Sequence, residues 1–362
     1  MTDLHTRGAA PGLSDAFCAR FGLRYPLLLS PMAGACTADM VCSVTASGGL
    51  GSFGAAGLSI QQLEALCADL KQRCPGPYNI NLFSPDTESP LPDPHIPVDL
   101  AAVLRTMHDA AGLGDLPPPL PLFGPALDQL EVLLAAKVPV ISFHFGISTD
   151  IVDKIRAAGS RVICTATSPE EARALSGAGV DAIIAQGEEA GGHRGTFLGG
   201  EMQPLRELIP AIAAATDLPV IAAGGLCHGR QIRQAIDAGA AAVQVGTAFL
   251  PCSDSPAASR WKHNLVNLQR DALTVTRAIS GKPAQGIRTT FVEQLAPLEH
   301  SFLPYPWHYS LSRELRQAAV KQDDERYMVM WSGTGIDSIG AADLKLTIRE
   351  KFRQLVTQAG WD

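Results

Sequence analysis

Short apolar runs recur along the chain, each passing into glycine or a polar turn and then into a stretch with helical spacing. The first is Pro26-Leu27-Leu28-Leu29-Ser30-Pro31-Met32, which ends in Ala33-Gly34 before a helical pattern from about Thr37 to Ser47. Gly49 to Phe53 precedes a helix from Ser59 to Gln72, and Tyr78 to Leu82 precedes an irregular, proline-rich stretch from Ser84 to Pro125. Regularity resumes with Leu127 to Ala136 as helix, Val138 to Phe143 as strand, Asp150 to Ala158 as helix and Arg161 to Thr165 as strand. In Ser168-Pro169-Glu170-Glu171, Ser168 can cap a helix, Pro169 fits its first position and Glu171 completes a capping box. That helix stops near Gly177 and Gly179, and Asp181 to Ala185 is the next strand. Gln203 to Ala215 is helical, Leu218 to Ala223 is a strand ending in Gly224-Gly225, Arg230 to Ala238 is a helix, and Ala241 to Val245 is a strand ending in Gly246-Thr247.

Eight strand candidates separated by helices predict a parallel sheet. Eight repeats favour a closed barrel over an open doubly wound sheet, and no GxGxxG follows the first strand. The expected fold is therefore α/β, a TIM (β/α)8 barrel over residues 20–250 with an insertion at about 84–125. Residues 255–362 carry longer helical patterns, at Arg313 to Lys321 and Ala342 to Thr357, and are expected to form a mostly helical segment covering the active site. Together with the insertion they would make a smaller appended domain.

Composition narrows the partners. With 46% hydrophobic and 18% charged residues the chain is globular, and no uninterrupted apolar run approaches the roughly 18 residues of a membrane span. The segment Met1 to Gly12 lacks the pattern of a secretory signal, so a cytoplasmic location is expected. A net charge of −7 without a Lys/Arg cluster argues against nucleic acid or an anionic membrane as partner and leaves a small molecule. The eight cysteines form no CxxC pair, so neither zinc nor another metal is expected, and several sit in apolar segments as ordinary reduced thiols. Monomer and homodimer both stay open.

Candidate chemistry gathers at the carboxyl ends of the strands, where such barrels carry their sites. The stretch Ala185-Gln186-Gly187-Glu188-Glu189-Ala190-Gly191-Gly192-His193-Arg194-Gly195 mixes glycine, charge and a histidine directly after an apolar run. Glycines permit close approach to a ligand, and His193 is suited to proton transfer. His144 ends the fourth strand, where it either contacts a ligand or only shapes the pocket. Gly224-Gly225 and Gly246-Thr247 follow adjacent strands and suit a phosphate, although glycines there also simply permit tight turns. Gln186 and Asn81 carry carboxamides that can donate and accept at a flavin or pyrimidine edge. Glu188 and Glu189 read better as loop residues than as a paired acid and base, and Lys262, Lys282 and Arg288 could steer an anion.

These motifs together carry a resemblance. Pro31-Met32-Ala33-Gly34, Asn81-Leu82-Phe83, Phe143-His144-Phe145-Gly146, the Gln186 to Gly195 stretch, Pro219 to Gly225 and Gln244-Val245-Gly246-Thr247 resemble the nitronate monooxygenase family. The resemblance implies an FMN-containing barrel that oxidises alkyl nitronates, such as propionate 3-nitronate, with O2 to a carbonyl compound and nitrite. It implies FMN contacts at Met32, Ala33, Asn81, Gln186, Gly191, Gly224, Gly225, Gln244, Val245, Gly246 and Thr247, with His193 as catalytic base. His144, and Tyr305 in Tyr305-Pro306-Trp307, would line the substrate pocket. The chain departs from the family pattern at Trp331-Ser332-Gly333-Thr334 and at Cys227-His228-Gly229. Rival readings are an FMN-dependent enoyl-acyl-carrier-protein reductase or NADH:quinone reductase on the same barrel, and a barrel that binds a phosphorylated ligand without redox turnover.

Overall fold

The computed structural model describes residues 12–85, 95–120 and 125–361. Strands β1 (Leu27–Leu29), β2 (Gly51–Gly54), β3 (Tyr78–Phe83), β4 (Val140–His144), β5 (Arg161–Ala166), β6 (Ala182–Gln186), β8 (Val220–Ala223) and β9 (Ala242–Val245) form one parallel sheet. The short β7 (Gly192–His193) belongs to a second sheet with β10 (Leu273–Thr276) and β11 (Ala284–Ile287). The parallel sheet closes on itself as a TIM barrel: its outermost strands meet at the bridge Leu28–Leu50, with Leu50 N donating to Leu27 O at 3.1 Å and Leu29 N to Leu50 O at 3.0 Å.

The helices are α1 (Leu13–Phe21), α2 (Ala38–Ala46), α3 (Ile60–Arg73), α4 (Val98–Ala110), α5 (Ala126–Ala136), α6 (Thr149–Ala157), α7 (Pro169–Ala178), α8 (Leu205–Ala215) and α9 (Gly229–Asp237). They continue with α10 (Ser259–Asn267), α11 (Thr290–Leu295), α12 (Trp307–Leu311), α13 (Arg313–Gln322) and α14 (Ile348–Ala359). Strand alternation sorts side chains between two cores. On β5 and β6, Ile163 and Ile184 point into the barrel, while Val162, Cys164, Ile183 and Ala185 pack outward against the helices. Each fully buried aliphatic side chain here is worth about 1.5–3 kcal/mol.

Phe17 and Phe21 of α1 stack at 4.5 Å and join the interior cluster with Leu28, Val140, Ile163 and Ile221, plugging the barrel at the end away from the strand C-termini. No sequence pattern had assigned that role to residues 13–21. The insertion also differs from expectation, because the supposedly irregular stretch contains α4, whose Leu100, Leu104 and Met107 pack with Phe291, Leu295 and Leu315. The remainder of the expected insertion at 86–94 and 121–124 lies outside the described residues. The C-terminal segment is not uniformly helical, since it supplies β10 and β11. Nor does α14 cover the strand ends: Phe352, Leu355 and Val356 pack it on the barrel flank with Met40 of α2 and Ile232 of α9. At α7 the expected capping box is only half formed. Ser168 Oγ accepts from Glu171 N at 3.2 Å, but the Glu171 carboxylate turns instead to Thr167 and to a distant loop.

Candidate active site

A cavity of about 680 Å³ opens at the carboxyl ends of the barrel strands. It is lined by Met32, Ala33, Asn81, Gln186, Gly191, Gly224, Gly225, Gln244, Gly246 and Thr247, with His144, His193, Tyr305 and Trp331. The sequence-predicted residues thus converge, with one correction. Val245 is 1% exposed and packs outward among the helices, because neighbours on a strand face opposite ways and Gln244 takes the cavity side.

The loop after β6 is held by its own polar groups. Gln186 donates from Nε2 to His193 O at 2.9 Å and accepts at Oε1 from Gly195 N at 2.7 Å, so its carboxamide first closes the loop. Arg194, 5% exposed, donates to Ala190 O at 2.7 Å and to Gln285 Oε1 at 2.8 Å. Gln285 in turn donates from Nε2 to Ala190 O at 3.1 Å. The loop end also pairs as β7 with β11, His193 opposite Ala284. Glu189 accepts from Leu205 N through both carboxylate oxygens, at 2.9 and 3.1 Å. Pro204 at the N-cap has no side chain that could do this, so Glu189 caps α8 from the loop, and burial raises its pKa. The departing segment Trp331-Ser332-Gly333-Thr334 lies directly on the loop: Thr334 N donates to Glu189 O at 2.9 Å and Gly333 N to Thr247 Oγ1 at 3.0 Å. His228 instead caps α9 through Nδ1, accepting from Arg230 N at 3.1 Å.

The two histidines differ in kind. His144 has both ring nitrogens engaged, Nδ1 with Thr165 Oγ1 at 3.1 Å and Nε2 with His193 O at 3.2 Å. A carbonyl only accepts, so Nε2 carries the hydrogen and Nδ1 accepts from the threonine. His144 is therefore a buttress of the loop, and burial pulls its pKa down to about 4. His193 has one nitrogen held, Nε2 with Ser280 Oγ at 2.8 Å, while Nδ1 has no partner among the described residues and the ring lines the cavity. Burial first, then His144 and Lys282, lower its pKa to about 3, so it is neutral at ordinary pH.

Ser280 Oγ also lies 3.2 Å from Lys282 O. With its one O–H given to that carbonyl, Ser280 accepts from His193 Nε2 and the Nδ1 lone pair faces the cavity. With the O–H turned to Nε2, Nδ1 carries the hydrogen instead. Aromatic rings close around His193: Phe83 at 6.1 Å, Phe145 at 6.2 Å, Tyr305 at 5.8 Å and Trp331 at 5.6 Å between centroids. Lys282 Nζ stands 4.3 Å from the Phe145 ring centroid, and burial lowers its pKa. Of the other two lysine and arginine candidates, Lys262 binds Cys252 O at 2.7 Å, Arg288 is exposed, and neither lines the cavity. Arg313 and Arg316, which no motif singled out, do line it. Ser280 and Gln285 were missed as well, and no local pattern marks them.

A further set of donors and acceptors on residues that line the cavity has no protein partners. The N–H groups of Gly224, Gly225, Gly246 and Thr247 have no acceptor among the described residues, and Gln244 Oε1 is buried without a donor. Gly224 and Gly225 have φ of 127° and 68°, so only glycine holds this turn without strain. Clustered amides of this kind match a phosphate.

The fold and this cavity define a (β/α)8-barrel enzyme. Within that class the chain belongs to the nitronate monooxygenase family, whose model matches residues 15–356, and it is an oxidoreductase. A protein described as probable nitronate monooxygenase in Staphylococcus aureus strain Newman is 37% identical over 321 residues, covering 86% of this chain and 88% of its own. The counterpart in strain JH9 is 36% identical over the same length. Among solved structures, nitroalkane oxidase from Streptomyces ansochromogenes matches with a TM-score of 0.84 and 32% identity, covering 95% of this chain and 98% of that one. FabK from Thermotoga maritima, at TM-score 0.72 and 24% identity over 97% of each chain, shares the fold. No helix among the described residues is long and apolar enough to cross a membrane.

Proposed function

We propose that the protein is an FMN-dependent nitronate monooxygenase that oxidises alkyl nitronates, such as propionate 3-nitronate, with O2 to a carbonyl compound and nitrite. One observation carries the reading: a neutral histidine with a single nitrogen held by Ser280 faces the same cavity as the unpaired amides of Gly224, Gly225, Gly246 and Thr247. Those amides suit the FMN phosphate. Gln244 Oε1, the free lone pairs of Asn81 and the backbone near Met32 and Ala33 suit its ring system. Bound there, FMN supplies the electron-accepting chemistry that no side chain of this chain provides.

The protein's part is to hold the substrate and manage one proton. A histidine with a pKa of about 3 is a weak base for a neutral nitroalkane, so an already ionised nitronate is the better substrate. With Ser280 turned to Nε2, His193 Nδ1–H donates to a nitronate oxygen. An anion at that distance also favours the protonated ring, so substrate binding itself raises the His193 pKa. The Lys282 ammonium, held over Phe145, adds positive potential on the same side. Phe83, Phe145, Tyr305 and Trp331 exclude water from around the imidazole, which strengthens each of these interactions.

The test is oxygen uptake and nitrite release with propionate 3-nitronate, run beside NADH oxidation with a quinone. Nitrite without NADH consumption supports the reading. Rapid NADH oxidation without nitrite sinks it in favour of a reductase. A purified protein that neither contains nor takes up FMN would point to a non-redox phospholigand barrel.

A further inference from the structure

Glu171 is the second unusual polar group in the molecule. It is 0% exposed, and its carboxylate accepts five hydrogen bonds. Oε2 takes Thr167 N at 2.7 Å and Thr167 Oγ1 at 2.8 Å. Oε1 takes Thr196 Oγ1 at 2.8 Å, Phe197 N at 2.7 Å and Leu198 N at 3.0 Å. No cation pairs with it among the described residues. A buried carboxylate is costly unless fully hydrogen-bonded, and here neutral donors alone satisfy it. A helix cap at α7 would need neither this depth nor the three donors from residues 196–198.

Those three residues continue directly from His193-Arg194-Gly195. Gln186 holds the loop at His193 O and Gly195 N, and Glu171 holds it at once beyond. Gly195 leaves no slack between the two anchors, since a Cβ there would lie 2.7 Å from His144 Cε1 and 2.7 Å from Thr165 Cγ2. Phe197 is fixed in turn against Gly146, where a Cβ would lie 3.0 Å from its ring.

We propose that Glu171 is a positioning residue for the reaction. It ties the segment after His193 to the end of β5, so that the imidazole is presented to the cavity in one orientation. The carboxylate touches neither substrate nor cofactor and acts only through the loop. The activity part of this inference rests on the nitronate-oxidising reading; the structural part does not.

The experiment compares FMN-loaded wild type with Glu171→Gln and Thr196→Val. A glutamine must place an NH2 against one group of donors, whereas the threonine variant removes one of the five bonds to the carboxylate, together with the Thr196 hydroxyl's contacts to Gly199, and leaves the buried carboxylate in place. Expected in Glu171→Gln are amide exchange at Phe197 and Leu198 about tenfold faster, with the barrel strands unchanged, and kcat per bound FMN with butyl nitronate about tenfold lower at a KM within about threefold. Thr196→Val should move the same quantities in the same direction by a smaller factor, and it decides the matter if Glu171→Gln does not fold. The His193 ring resonance is expected as a single sharp signal in wild type and should broaden or split in both variants. Faster exchange with unchanged kcat per bound FMN and an unchanged His193 signal would overturn the proposal, as would no change at all. If wild type oxidises no nitronate, the functional reading has failed, and the exchange and ring signals alone then decide the role of Glu171.

Discussion

Gly191 tests how the site is assembled, because its restriction is steric. Its backbone is not in the left-handed region, yet a Cβ would lie 2.6 Å from Gly333 N and 2.6 Å from Ser332 C. Favourable contacts between heavy atoms sit at about 3.5–4.0 Å, and both neighbours are backbone atoms that cannot rotate aside. Gly191→Ala therefore has to push the loop away from residues 331–334, straining the bonds Thr334 N to Glu189 O and Gly333 N to Thr247 Oγ1. Overpacking of this size costs about 1–3 kcal/mol. At about 1.4 kcal/mol per decade, that is roughly a 5- to 150-fold loss in the docked state of the loop. The assay is FMN titration by fluorescence together with thermal unfolding of the cofactor-free protein. The expected result is an FMN Kd raised about tenfold or more with a melting temperature lower by a few degrees. An FMN affinity within twofold of wild type, with unchanged melting, would refute the view that this contact shapes the site.

Four other outcomes are expected. Ser280→Ala leaves His193 Nε2 buried without a partner and should lower nitronate turnover about tenfold while sparing FMN affinity; equal loss of both would place Ser280 in the cofactor site instead. His193→Asn should retain FMN and lower turnover of the ionised nitronate, the form His193 holds, and unchanged rates with both substrate forms would remove His193 from the reaction. Burial holds His144 and His308 at about 4 and His193 at about 3, against about 6.5 for an unfolded histidine, so below pH 6.5 the unfolded chain binds protons that the folded chain does not. Stability should be full above pH 7 and fall as pH drops from about 6.5 towards 4, with a shallower fall in His144→Phe; superimposable melting curves against pH would contradict this. Lys351→Ala strands the buried Asp343 carboxylate now 2.7 Å from Lys351 Nζ and should cost about 3–5 kcal/mol in denaturant unfolding, whereas Lys351→Met with Asp343→Leu should cost far less.

The barrel was legible because its signals are local. Each strand is a short apolar run and each helix carries its own period, so Leu27, Ile163 or Ile221 declares its element without reference to distant chain. The loop from Gln186 to Gly195 was legible for a related reason, since glycine and histidine after a buried strand are unusual wherever the chain goes next. What escaped depends on partners far away in sequence. Ser280 and Gln285 matter only because a two-residue strand, β7, pairs with β11, and nothing near residue 192 announces that pairing. Glu171 sat in a good capping-box position, and only the fold reveals that its carboxylate serves residues 196–198. Gln186 looked like a flavin reader because its carboxamide is versatile, and the loop uses that versatility first. Proline density hid α4, whose apolar face is completed by residues about two hundred positions later.

The pairing of β7 with β11, and of Gly286 with Trp331, also sets a timetable. The last barrel strand ends at Val245, but Gln285 and Thr334, which hold the His193 loop, come later in the chain. At ordinary synthesis rates that gap is roughly 5–20 s. During it a nascent chain can close its barrel and still lack a finished cofactor pocket. A ribosome-stalled chain ending near residue 295, with Val245 outside the exit tunnel and Gln285 still inside it, should resist proteolysis over the barrel yet fail to retain FMN, and retention should begin only once residue 334 has cleared the tunnel.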